Sequence, residues 1–331
     1  MAGPVLVTGA TGFVGAAVTR ALLARGFEVR ALVRPESDRN NILSLPVEPV
    51  IGRLEDADSL RHAVSGCDAL FHVAADYRLW VRDPDAMMRA NVEGTRALMR
   101  AAIEARLQRV VYTSSVAVLG HVPDGHAADE ATPSSLADMV GPYKRSKFLA
   151  EAEVKRMIVE EGLRAVIVNP STPIGPRDIK PTPTGRIIVM AARGKMPAYV
   201  DTGLNVVHVA DVAEGHMLAY ERGQIGERYI LGGDDLTLAD ILRRVAKLVD
   251  RRAPSIELPR MAVYPVAIVS EIFARFTGRE PMATLDGLRM AKWKMWFSSA
   301  KAERELGYAH RPAEAALADA VRWFDSAGYL K

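Results

Sequence analysis

The sequence predicts an α/β fold, with a doubly wound parallel sheet and a smaller mixed α/β lobe. Short runs rich in Val, Ile and Leu alternate with helical patterns through the first half of the chain, as they do in repeated βα units. These runs are apolar almost throughout, which is typical of strands covered on both faces. The 331 residues, 49% of them hydrophobic and 25% charged, suffice for a full core in roughly two units.

The first half contains six predicted strands and the helices that connect them. The strands are Val5–Val7, Glu28–Val33, Val47–Ile51, Ala69–Val73, Val110–Thr113 and Ala165–Asn169. The helices are Phe13–Arg25, Asp58–Val64, Pro84–Ala105 and Pro142–Glu161. Gly26 and Gly162 stand where C-terminal caps belong.

The alternation weakens after Asn169. Pro170–Gly185, rich in Pro, Thr and Gly, is predicted as a long ordered loop of functional importance. The elements predicted beyond it are a strand at Asn205–Val209, a helix at Val212–Arg222 capped by Asp211, a strand at Glu227–Leu231, and a helix begun by Thr237 and Asp240 as a capping box. We therefore assign residues 1–170 with 205–233 to the larger unit, and 171–204 with 234–331 to a substrate-binding lobe.

Charge and cysteine content exclude several classes of protein. The formal net charge of +3 is too small to favour a nucleic-acid partner. The single cysteine, Cys67, allows neither an internal disulfide nor a cysteine-based zinc site. The N-terminus lacks a signal-peptide pattern, and the apolar stretch Met261–Ser270 is about half the length of a membrane span. We expect a cytoplasmic protein that binds a small molecule.

A glycine-rich turn follows the first strand and opens the first helix. It reads Thr8-Gly9-Ala10-Thr11-Gly12-Phe13-Val14-Gly15. Gly9 would allow the tight turn, Gly12 the approach of a pyrophosphate, and Gly15 close packing of helix on strand. Free N–H groups at the helix N-terminus would then hold the anion. This predicts a Rossmann-type domain that binds a dinucleotide.

The end of the second strand indicates which dinucleotide is bound. An acidic residue there usually accepts from the ribose 2′-hydroxyl of NAD, but this chain has Arg34, with Arg39 in the same loop. Arginines would pair with the 2′-phosphate of NADP. The sequence therefore predicts NADP in preference to NAD. The alternative is that both arginines are solvated while Glu36 or Asp38 contacts the ribose.

Three further residues suggest proton transfer. Tyr143 and Lys147 are four residues apart, so they project from one face of a predicted helix. An ammonium about 6 Å away would lower the pKa of the tyrosine by about two. Ser115 lies at the carboxyl end of a predicted strand, where ligands bind in open α/β sheets. Ser115 would hold the substrate oxygen, Tyr143 would move the proton and Lys147 would orient the ribose.

Taken together, TGATGFVG, YTSSVAVLG, YKRSK and NPSTPIGP resemble the extended short-chain dehydrogenase/reductase family, in its NAD-dependent epimerase/dehydratase branch. The resemblance covers nearly the whole chain. It implies that Ser115, Tyr143 and Lys147 are the catalytic triad and that Asn91 supports the site from its helix. Including these, the predicted cofactor-binding residues are Gly9, Thr11, Gly12, Phe13, Val14, Gly15, Arg34, Arg39, Arg53, Leu54, Ala74, Ala75, Asn91, Thr113, Tyr143, Lys147, Asn169, Pro170 and Thr172.

Within this family the segments NPSTPIGPRDIKPTPTGRIIV and VVHVADVAEGHMLAYERGQIGERYILGG look like hopanoid-associated sugar epimerases, and they also resemble dihydroflavonol reductases. One departure is Arg53, which follows Gly52 where the family usually has an aspartate near the adenine. It offers another partner for a 2′-phosphate. The resemblance also implies a homodimer through the helices at Pro84–Ala105 and Pro142–Glu161.

Other residues suggest substrate contacts or invite a metal interpretation. Tyr77 and Trp80 follow the fourth strand and could line an apolar pocket. Lys180 and Arg186 could bind a hydroxyl-rich or phosphorylated substrate. The alternatives are simple packing within the loop for Tyr77 and Trp80, and solvated cations for Lys180 and Arg186. His208 and Asp211 are better explained as a strand-end histidine and a helix cap than as metal ligands, so no metal is predicted.

The predicted function is an NADP(H)-dependent epimerase or oxidoreductase acting at a secondary alcohol or carbonyl of a sugar-like substrate. The substrate is expected to be a small molecule or linked to a lipid. Hopanoid side-chain biosynthesis is one pathway in which such an enzyme would act. The alternatives are an NADPH-dependent carbonyl reductase and a non-catalytic NADP sensor. The helix with Tyr264, Ile268, Ile272, Phe273 and Phe276 is expected in a core, with peripheral membrane contact as the alternative.

Overall fold

A computed structural model describes residues 3–122, 125–278, 281 and 283–331. Its first half follows the predicted alternation closely. The elements are β1 (Val5–Thr8), α1 (Phe13–Ala24), β2 (Val29–Val33), β3 (Val47–Ile51), α2 (Ala57–Val64), β4 (Ala69–His72), α3 (Pro84–Met88), α4 (Gly94–Glu104), β5 (Arg109–Thr113), α5 (Gly141–Glu161) and β6 (Ala165–Pro170).

The second half is a mixture of short strands and helices. Its elements are β7 (Thr172–Ile174), α6 (Pro183–Ala192), β8 (Ala198–Tyr199), β9 (Gly203–His208), α7 (Val209–Arg222), β10 (Arg228–Leu231), β11 (Asp234–Thr237), α8 (Leu238–Leu248), β12 (Ile256–Glu257), α9 (Arg260–Thr277), α10 (Leu285–Met290), β13 (Lys294–Met295), α11 (Ala300–Leu306) and α12 (Ala313–Ser326).

Seven strands form one parallel sheet in the order β3-β2-β1-β4-β5-β6-β10. The chain runs outward from β1 in one direction and then from β4 in the other. Ligands bind in the crevice at such a reversal, outside the carboxyl ends of the strands. Thr8 pairs in register with His72 across the β1–β4 junction, so the ends of both strands meet at one level.

Helices cover both faces of this sheet, which confirms the doubly wound prediction. Val5 and Val7 of β1 pack into a core shared with α1 and α7, whereas Leu6 between them packs into a second core with α2, α4 and α5. Successive side chains of a strand point to opposite faces. A continuous apolar run is therefore what a strand buried on both sides requires.

A smaller sheet lies beside the large one. β9 pairs with β7 and β13 in parallel and with β11 in antiparallel orientation, and a third core forms among α6, α8 and α12. The chain returns to the large sheet at α7 and β10. Residues 205–208, predicted as part of the larger unit, lie in β9 of the smaller sheet. The division into two functional units stays a prediction.

The predicted helix at Pro84–Ala105 is interrupted. Residues Arg89–Glu93 form a π-helical turn between α3 and α4. Such a turn inserts one extra residue into the helix and is frequent at functional sites. Here it contains Asn91, which is buried.

Asp211 was predicted to cap the next helix, and that prediction is wrong. α7 begins three residues earlier than predicted, at Val209, because the Nδ1 atom of His208 accepts a hydrogen bond from the N–H of Ala210 at 3.0 Å. Asp211 lies buried in the first turn and accepts from the N–H of Arg311 at 2.8 Å. The predicted cap by Thr237 is confirmed, since its hydroxyl accepts from the N–H of Asp240.

The segment Pro170–Gly185 is less irregular than predicted. It contains the short strand β7, and its last residues already belong to α6. Thr182 caps α6 by accepting from the N–H of Gly185 at 3.0 Å.

The expectation of a core position for the helix at 260–277 is also wrong. Ile268, Ile272, Phe273 and Phe276 of α9 are exposed. Apolar periodicity identifies the apolar face of a helix but not the neighbour that covers it. Among the described residues, no helix combines the length and the apolar character that a membrane span requires.

Candidate active site

The glycine turn after β1 has the geometry expected of a phosphate loop. Gly9 has φ +72°, and a Cβ there would lie 2.8 Å from the backbone of Ala74. A Cβ on Gly15 would meet the carbonyl oxygen of Gly9 at 2.0 Å, so only glycine lets α1 pack this closely on the turn. Gly12 is exposed and lies at the start of α1, where its N–H donates to the Gly9 carbonyl at 2.9 Å. The tight turn at Gly9 and the close packing at Gly15 are thus as predicted, while the approach of a pyrophosphate to Gly12 stays a prediction.

The N-terminus of α1 is left open toward the crevice. No side chain caps it, and its first turn contains no acidic residue. The N–H groups of such a terminus and its dipole attract an anion. A buried chain of hydrogen bonds braces the turn from behind: the Thr8 hydroxyl lies 2.7 Å from Nδ1 of His72, and the Thr95 hydroxyl 2.9 Å from its Nε2. Burial lowers the pKa of His72 to about 3, so the ring is neutral.

Asn41 joins this turn to the loop after β7, and sequence reasoning missed it. Its amide nitrogen donates to the carbonyls of Thr11 at 3.2 Å and Arg177 at 3.3 Å. The Asn41 carbonyl accepts from Arg20 at 2.6 Å. Its amide oxygen is buried and has no partner within the described protein. A single asparagine between turn-forming residues carries no sequence signal for such a contact.

The predicted cations lie together beyond β2 and β3. Arg53 donates to both carboxylate oxygens of Glu36, at 2.8 and 2.7 Å. Nε of Arg34 is 3.7 Å from the same carboxylate. A hydrogen bond from its own backbone N–H, and then the hydrogen bonds and charge of Arg53, lower the pKa of Glu36. Arg39 is half-buried in the same loop. The guanidinium groups of Arg34 and Arg53 and the competing carboxylate of Glu36 therefore share one site.

Asn91 holds the loop after β4 against α5. Its side-chain oxygen accepts from the N–H of Asp76 at 2.8 Å, and its amide nitrogen donates to the Asp76 carbonyl and the Ser146 hydroxyl, both at 2.9 Å. Ser146 in turn donates to the carbonyl of Tyr143 at 2.8 Å. Asn91 is thus a positioning residue, as its predicted support of the site implies.

Lys147 is buried and turned toward β5. Its ammonium donates to the carbonyl of Thr113 at 2.8 Å and lies 3.3 Å from the hydroxyl of Tyr112. Burial lowers the pKa of Lys147 to about 8, and the charge of Glu151 opposes this shift. The Thr113 hydroxyl lies 2.9 Å from Nε2 of His216. Thr113 therefore fixes the position of the lysine from behind the site.

Tyr143 differs from expectation in its acidity. Lys147 was expected to lower its pKa, but burial raises it, and a hydrogen bond with the Ser115 side chain only partly offsets that effect. The lysine ammonium contacts β5 instead. Ser115 begins a short helical turn at Val116–Val118, where its hydroxyl accepts from the N–H of Ala117 at 3.1 Å. The structure thus joins the predicted serine and tyrosine and keeps the tyrosine protonated at neutral pH.

A buried carboxylate lies behind the triad, one turn beyond Lys147 on α5. Glu151 pairs with Lys155 at 2.7 Å and Arg228 at 3.1 Å. Asn169 donates from one amide nitrogen to Glu151 at 2.9 Å and to the carbonyl of Ser115 at 3.0 Å. Asn169 therefore ties the strand end that carries Ser115 to α5. Its amide oxygen is buried without a partner within the described protein.

The other predicted cofactor residues follow the carboxyl ends of strands. Leu54 follows β3 and packs on Gly94, whose added Cβ would lie 2.7 Å from it. Thr11 lies in the turn after β1, and Phe13 and Val14 begin α1. Ala74 and Ala75 follow β4, Pro170 ends β6, and Thr172 begins β7.

Two of the predicted substrate residues share a cluster with a residue that sequence reasoning missed. Tyr77 lies within electrostatic range of Arg186 and of Asp178. Asp178 is buried and accepts hydrogen bonds from the N–H and hydroxyl of Thr182. Burial raises the pKa of Asp178 to about 6. Lys180 is exposed and Trp80 half-buried, and the structure shows neither of them joined to this cluster.

No group of three or more His, Cys, Asp or Glu side chains among the described residues could hold a metal ion. Nε2 of His208 contacts Asp319 at 3.2 Å, while its Nδ1 caps α7. Both nitrogens are therefore occupied by structural contacts.

The residues present fit a nicotinamide dinucleotide. Gly9 and Gly15 have no room for a Cβ, the helix terminus beside them is uncapped, and the unpaired amide oxygen of Asn169 lies near Ser115. The turn would hold the pyrophosphate, Arg34 or Glu36 the adenosine ribose, and Lys147 the nicotinamide ribose. When bound, such a cofactor supplies or accepts hydride.

Comparison with known proteins identifies the family of the chain. The family model described as the NAD dependent epimerase/dehydratase family matches residues 5–232. A Synechocystis protein with the provisional name dihydroflavonol 4-reductase is 46% identical, over 100% of this chain and 97% of its own. Sterol demethylase protein B of Methylococcus capsulatus is 36% identical, over 98% and 99%. A 4-hydroxy-2-methyl-3-oxo-4-farnesyl-3,4-dihydroquinoline-1-oxide ketoreductase of Stigmatella aurantiaca is 34% identical, over 97% and 96%.

Solved structures share the whole fold. The crystal structure of gox2253 superposes with a TM-score of 0.90 at 57% identity, covering 99% of both chains. That of PA4631, a nucleoside-diphosphate-sugar epimerase from Pseudomonas aeruginosa, has a TM-score of 0.81 at 28% identity, also covering 99% of both. The chain belongs to the NAD dependent epimerase/dehydratase family of extended short-chain dehydrogenase/reductases, and it is an NAD(P)-dependent enzyme of the epimerase or reductase type.

Proposed function

We propose that this chain is an NADP(H)-dependent reductase, which converts a carbonyl to a secondary alcohol and catalyses the reverse oxidation. The observation that carries the proposal is the position of Ser115 just beyond the carboxyl end of β5, where its side chain lowers the pKa of Tyr143, with Lys147 one helical turn further along α5. Ser115 would orient the substrate oxygen, and Tyr143 would transfer a proton to it.

The protonation state of Tyr143 fits the reduction half of the reaction. Burial raises its pKa above the usual value near 10, so the phenol carries its proton at neutral pH. A carbonyl that receives hydride becomes an alkoxide and takes up a proton. A protonated, half-buried phenol beside the serine that holds the oxygen is placed for that transfer.

The names of the relatives favour one class of substrate. Dihydroflavonol, sterol and a farnesylated quinoline are ring systems with large apolar surfaces. We therefore propose a ketone on an apolar ring system in place of the sugar-like substrate predicted from sequence. A role in hopanoid side-chain biosynthesis stays a prediction.

An epimerase is the second candidate, favoured by the similarity to PA4631, a nucleoside-diphosphate-sugar epimerase. An epimerase returns the hydride to its own substrate, so its cofactor need not leave between turnovers. A reductase must exchange its cofactor at every turnover.

One experiment separates the two candidates. Nucleotide released on denaturing the purified protein is identified by mass spectrometry, and NADPH oxidation is followed with cyclic ketones and with nucleoside-diphosphate sugars. Ketone-dependent NADPH oxidation by a nucleotide-free protein supports the reductase. Stoichiometric retained nucleotide with sugar epimerisation and no net NADPH oxidation refutes it.

The variant Tyr143→Phe is the control for chemistry. It should bind NADPH like the wild type but lose turnover, since it keeps the ring and removes only the proton. Equal turnover in Tyr143→Phe would exclude Tyr143 as the proton donor. Absence of turnover in the wild type with all of these substrates, despite NADPH binding, would favour the non-catalytic sensor.

The assembly and location of the protein follow from resemblance alone. We propose a cytoplasmic homodimer formed through residues 84–105 and 142–161. Sedimentation equilibrium tests the dimer, and a monomer at micromolar concentration would refute it.

A further inference from the structure

Helix α9 turns its apolar face toward solvent. Its exposed side chains are Met261, Val266, Ile268, Val269, Ile272, Phe273 and Phe276, and we call this set the α9 face. Phe276 is 83% exposed and Met261 71%. The buried side chains of the helix are two alanines, Ala267 and Ala274. At 100° per residue the α9 face occupies one side of the helix and the alanines the other.

This exposure is concentrated in one segment. Of the fifteen large hydrophobic side chains exposed among the described residues, nine lie between Ile256 and Phe276. Isolated exposed apolar residues are ordinary, whereas a contiguous patch marks a surface that meets something apolar. We therefore expect the α9 face to contact an apolar partner or surface.

Two arginines lie at the carboxyl end of the α9 face. Arg275 lies in the last turn of the helix and is exposed. Arg82 donates to the carbonyl of Arg275 at 3.1 Å and so adds a second cation at that end. The one acidic residue of the helix, Glu271, accepts from the N–H of Leu285 at 2.7 Å and is thus held toward α10. An apolar strip bordered by arginines matches the headgroup boundary of a bilayer with anionic lipid.

The size of the α9 face argues against a second copy of the chain. A helix of 18 residues is about 27 Å long and about 10 Å wide, so its face offers about 300 Å². A stable dimer buries about 800 Å² on each partner. A bilayer has no such threshold, because it accepts inserted side chains one by one.

The position of α9 relates the α9 face to the active site. Its carboxyl end contacts Arg82, in the loop after β4 that also contains Tyr77 and Trp80. The neighbouring helix α10 brings the carboxylate of Asp286 to 2.5 Å from where a Cβ on Gly141 would lie, two residues before Tyr143. The helix pair thus stands between the α9 face and the catalytic end of α5.

We propose that the α9 face docks on the surface of a lipid bilayer. The apolar side chains enter the headgroup boundary, and Arg275 and Arg82 contact anionic headgroups. Docking in this way holds the entrance to the active site beside the bilayer, where an apolar substrate is dissolved. The proposal does not depend on the reaction, since an epimerase would dock equally well.

Co-sedimentation with vesicles tests it, using phosphatidylcholine alone and with one-third phosphatidylglycerol. The double variant Ile272→Glu with Phe276→Glu should lower the partition coefficient by about tenfold or more, because charge replaces inserted apolar surface. The variant Arg275→Gln should weaken binding to the anionic vesicles alone, by about fivefold. All three positions are exposed, so the variants should fold, and NADPH titration checks that they do.

Leu248→Glu is the matched control, since Leu248 at the end of α8 is an apolar residue about as exposed as Ile272, 46% against 52%. It should bind vesicles like the wild type. The proposal fails if the wild type stays in the supernatant with both vesicle types, or if Leu248→Glu loses binding as strongly as the double variant. It also fails if sedimentation velocity without lipid shows a wild-type dimer that the double variant abolishes, because a second copy would then occupy the α9 face.

Discussion

Replacing Arg34 by alanine tests the basis of cofactor choice. Arg34 has the weaker contact with Glu36, at 3.7 Å. Arg53 forms two hydrogen bonds to the same carboxylate, at 2.8 and 2.7 Å. A 2′-phosphate should therefore recruit Arg34 first. Arg53 has to give up Glu36 before it can bind the phosphate.

The expected magnitude follows from one lost contact. A hydrogen bond to a charged group contributes about 1.5–3 kcal/mol, and about 1.4 kcal/mol is tenfold in affinity. Arg34→Ala should weaken NADPH binding about ten- to a hundredfold and leave NADH binding within about twofold. Arg53→Ala should weaken NADPH binding less, because its loss also frees Glu36. Glu36→Gln should strengthen NADPH binding, because it removes a negative charge beside the phosphate.

The assay is fluorescence titration of the purified protein with NADPH and NADH at one fixed salt concentration, since exposed charges are screened by salt. Arg61→Ala is the control, because Arg61 is a comparably exposed arginine on α2. If Arg34→Ala weakened both cofactors equally, Arg34 would not read the phosphate. If the wild type preferred NADH and Glu36→Gln removed that preference, Glu36 would be the ribose ligand and NAD the cofactor.

Three further predictions concern the buried polar network. Asn91→Leu should lower kcat/KM for ketone reduction at least tenfold. It should also lower the free energy of unfolding in urea by about 2–3 kcal/mol, since it leaves buried partners unpaired. Wild-type values of both quantities would contradict this prediction. His72 and His216 have pKa values of about 3 and 4 in the fold against 6.5 unfolded. The unfolded chain thus binds protons that the fold excludes, and unfolding measured by urea should cost about 4 kcal/mol less at pH 5 than above pH 6.5; equal stability would refute it. Lys147 has a pKa of about 8, so it should lose its charge above that pH and the rate of ketone reduction should fall. Lys144 also has a pKa of about 8, but the variant Lys144→Met should show the same fall in rate, since Lys147 causes it. A rate that stays constant up to pH 9.5 would contradict this prediction.

The large sheet was predictable because its signals are local. Each strand is an unbroken apolar run, and the turn at Gly9 needs a residue that tolerates φ +72°. The pair Tyr143 and Lys147 depends only on the period of one helix. Such features are written in consecutive residues, so sequence reasoning recovers them together with their place at the strand ends.

The contacts that tune the site were not predictable, because they join distant segments. Asn41 connects the turn at Thr11 with the carbonyl of Arg177, which is 136 residues away in sequence. The pairing of Glu36 with Arg53 depends on the register of β2 and β3. The exposure of α9 was missed for a related reason: an apolar helix stripe reads alike whether another helix, a bilayer or solvent faces it.

Helix α5 unites the parts of the site in one element. Tyr143, Ser146, Lys147 and Glu151 occur at intervals of three, one and four residues, so all four lie along one side of the helix. Ser146 meets Asn91, Lys147 meets β5, and Glu151 meets Asn169. These contacts fix both the rotation and the axial position of α5, since a shift of one residue would turn every one of them by about 100°. The proton donor therefore owes its position to buried polar contacts on three neighbouring elements, and a substitution at any of them should affect turnover more than cofactor binding.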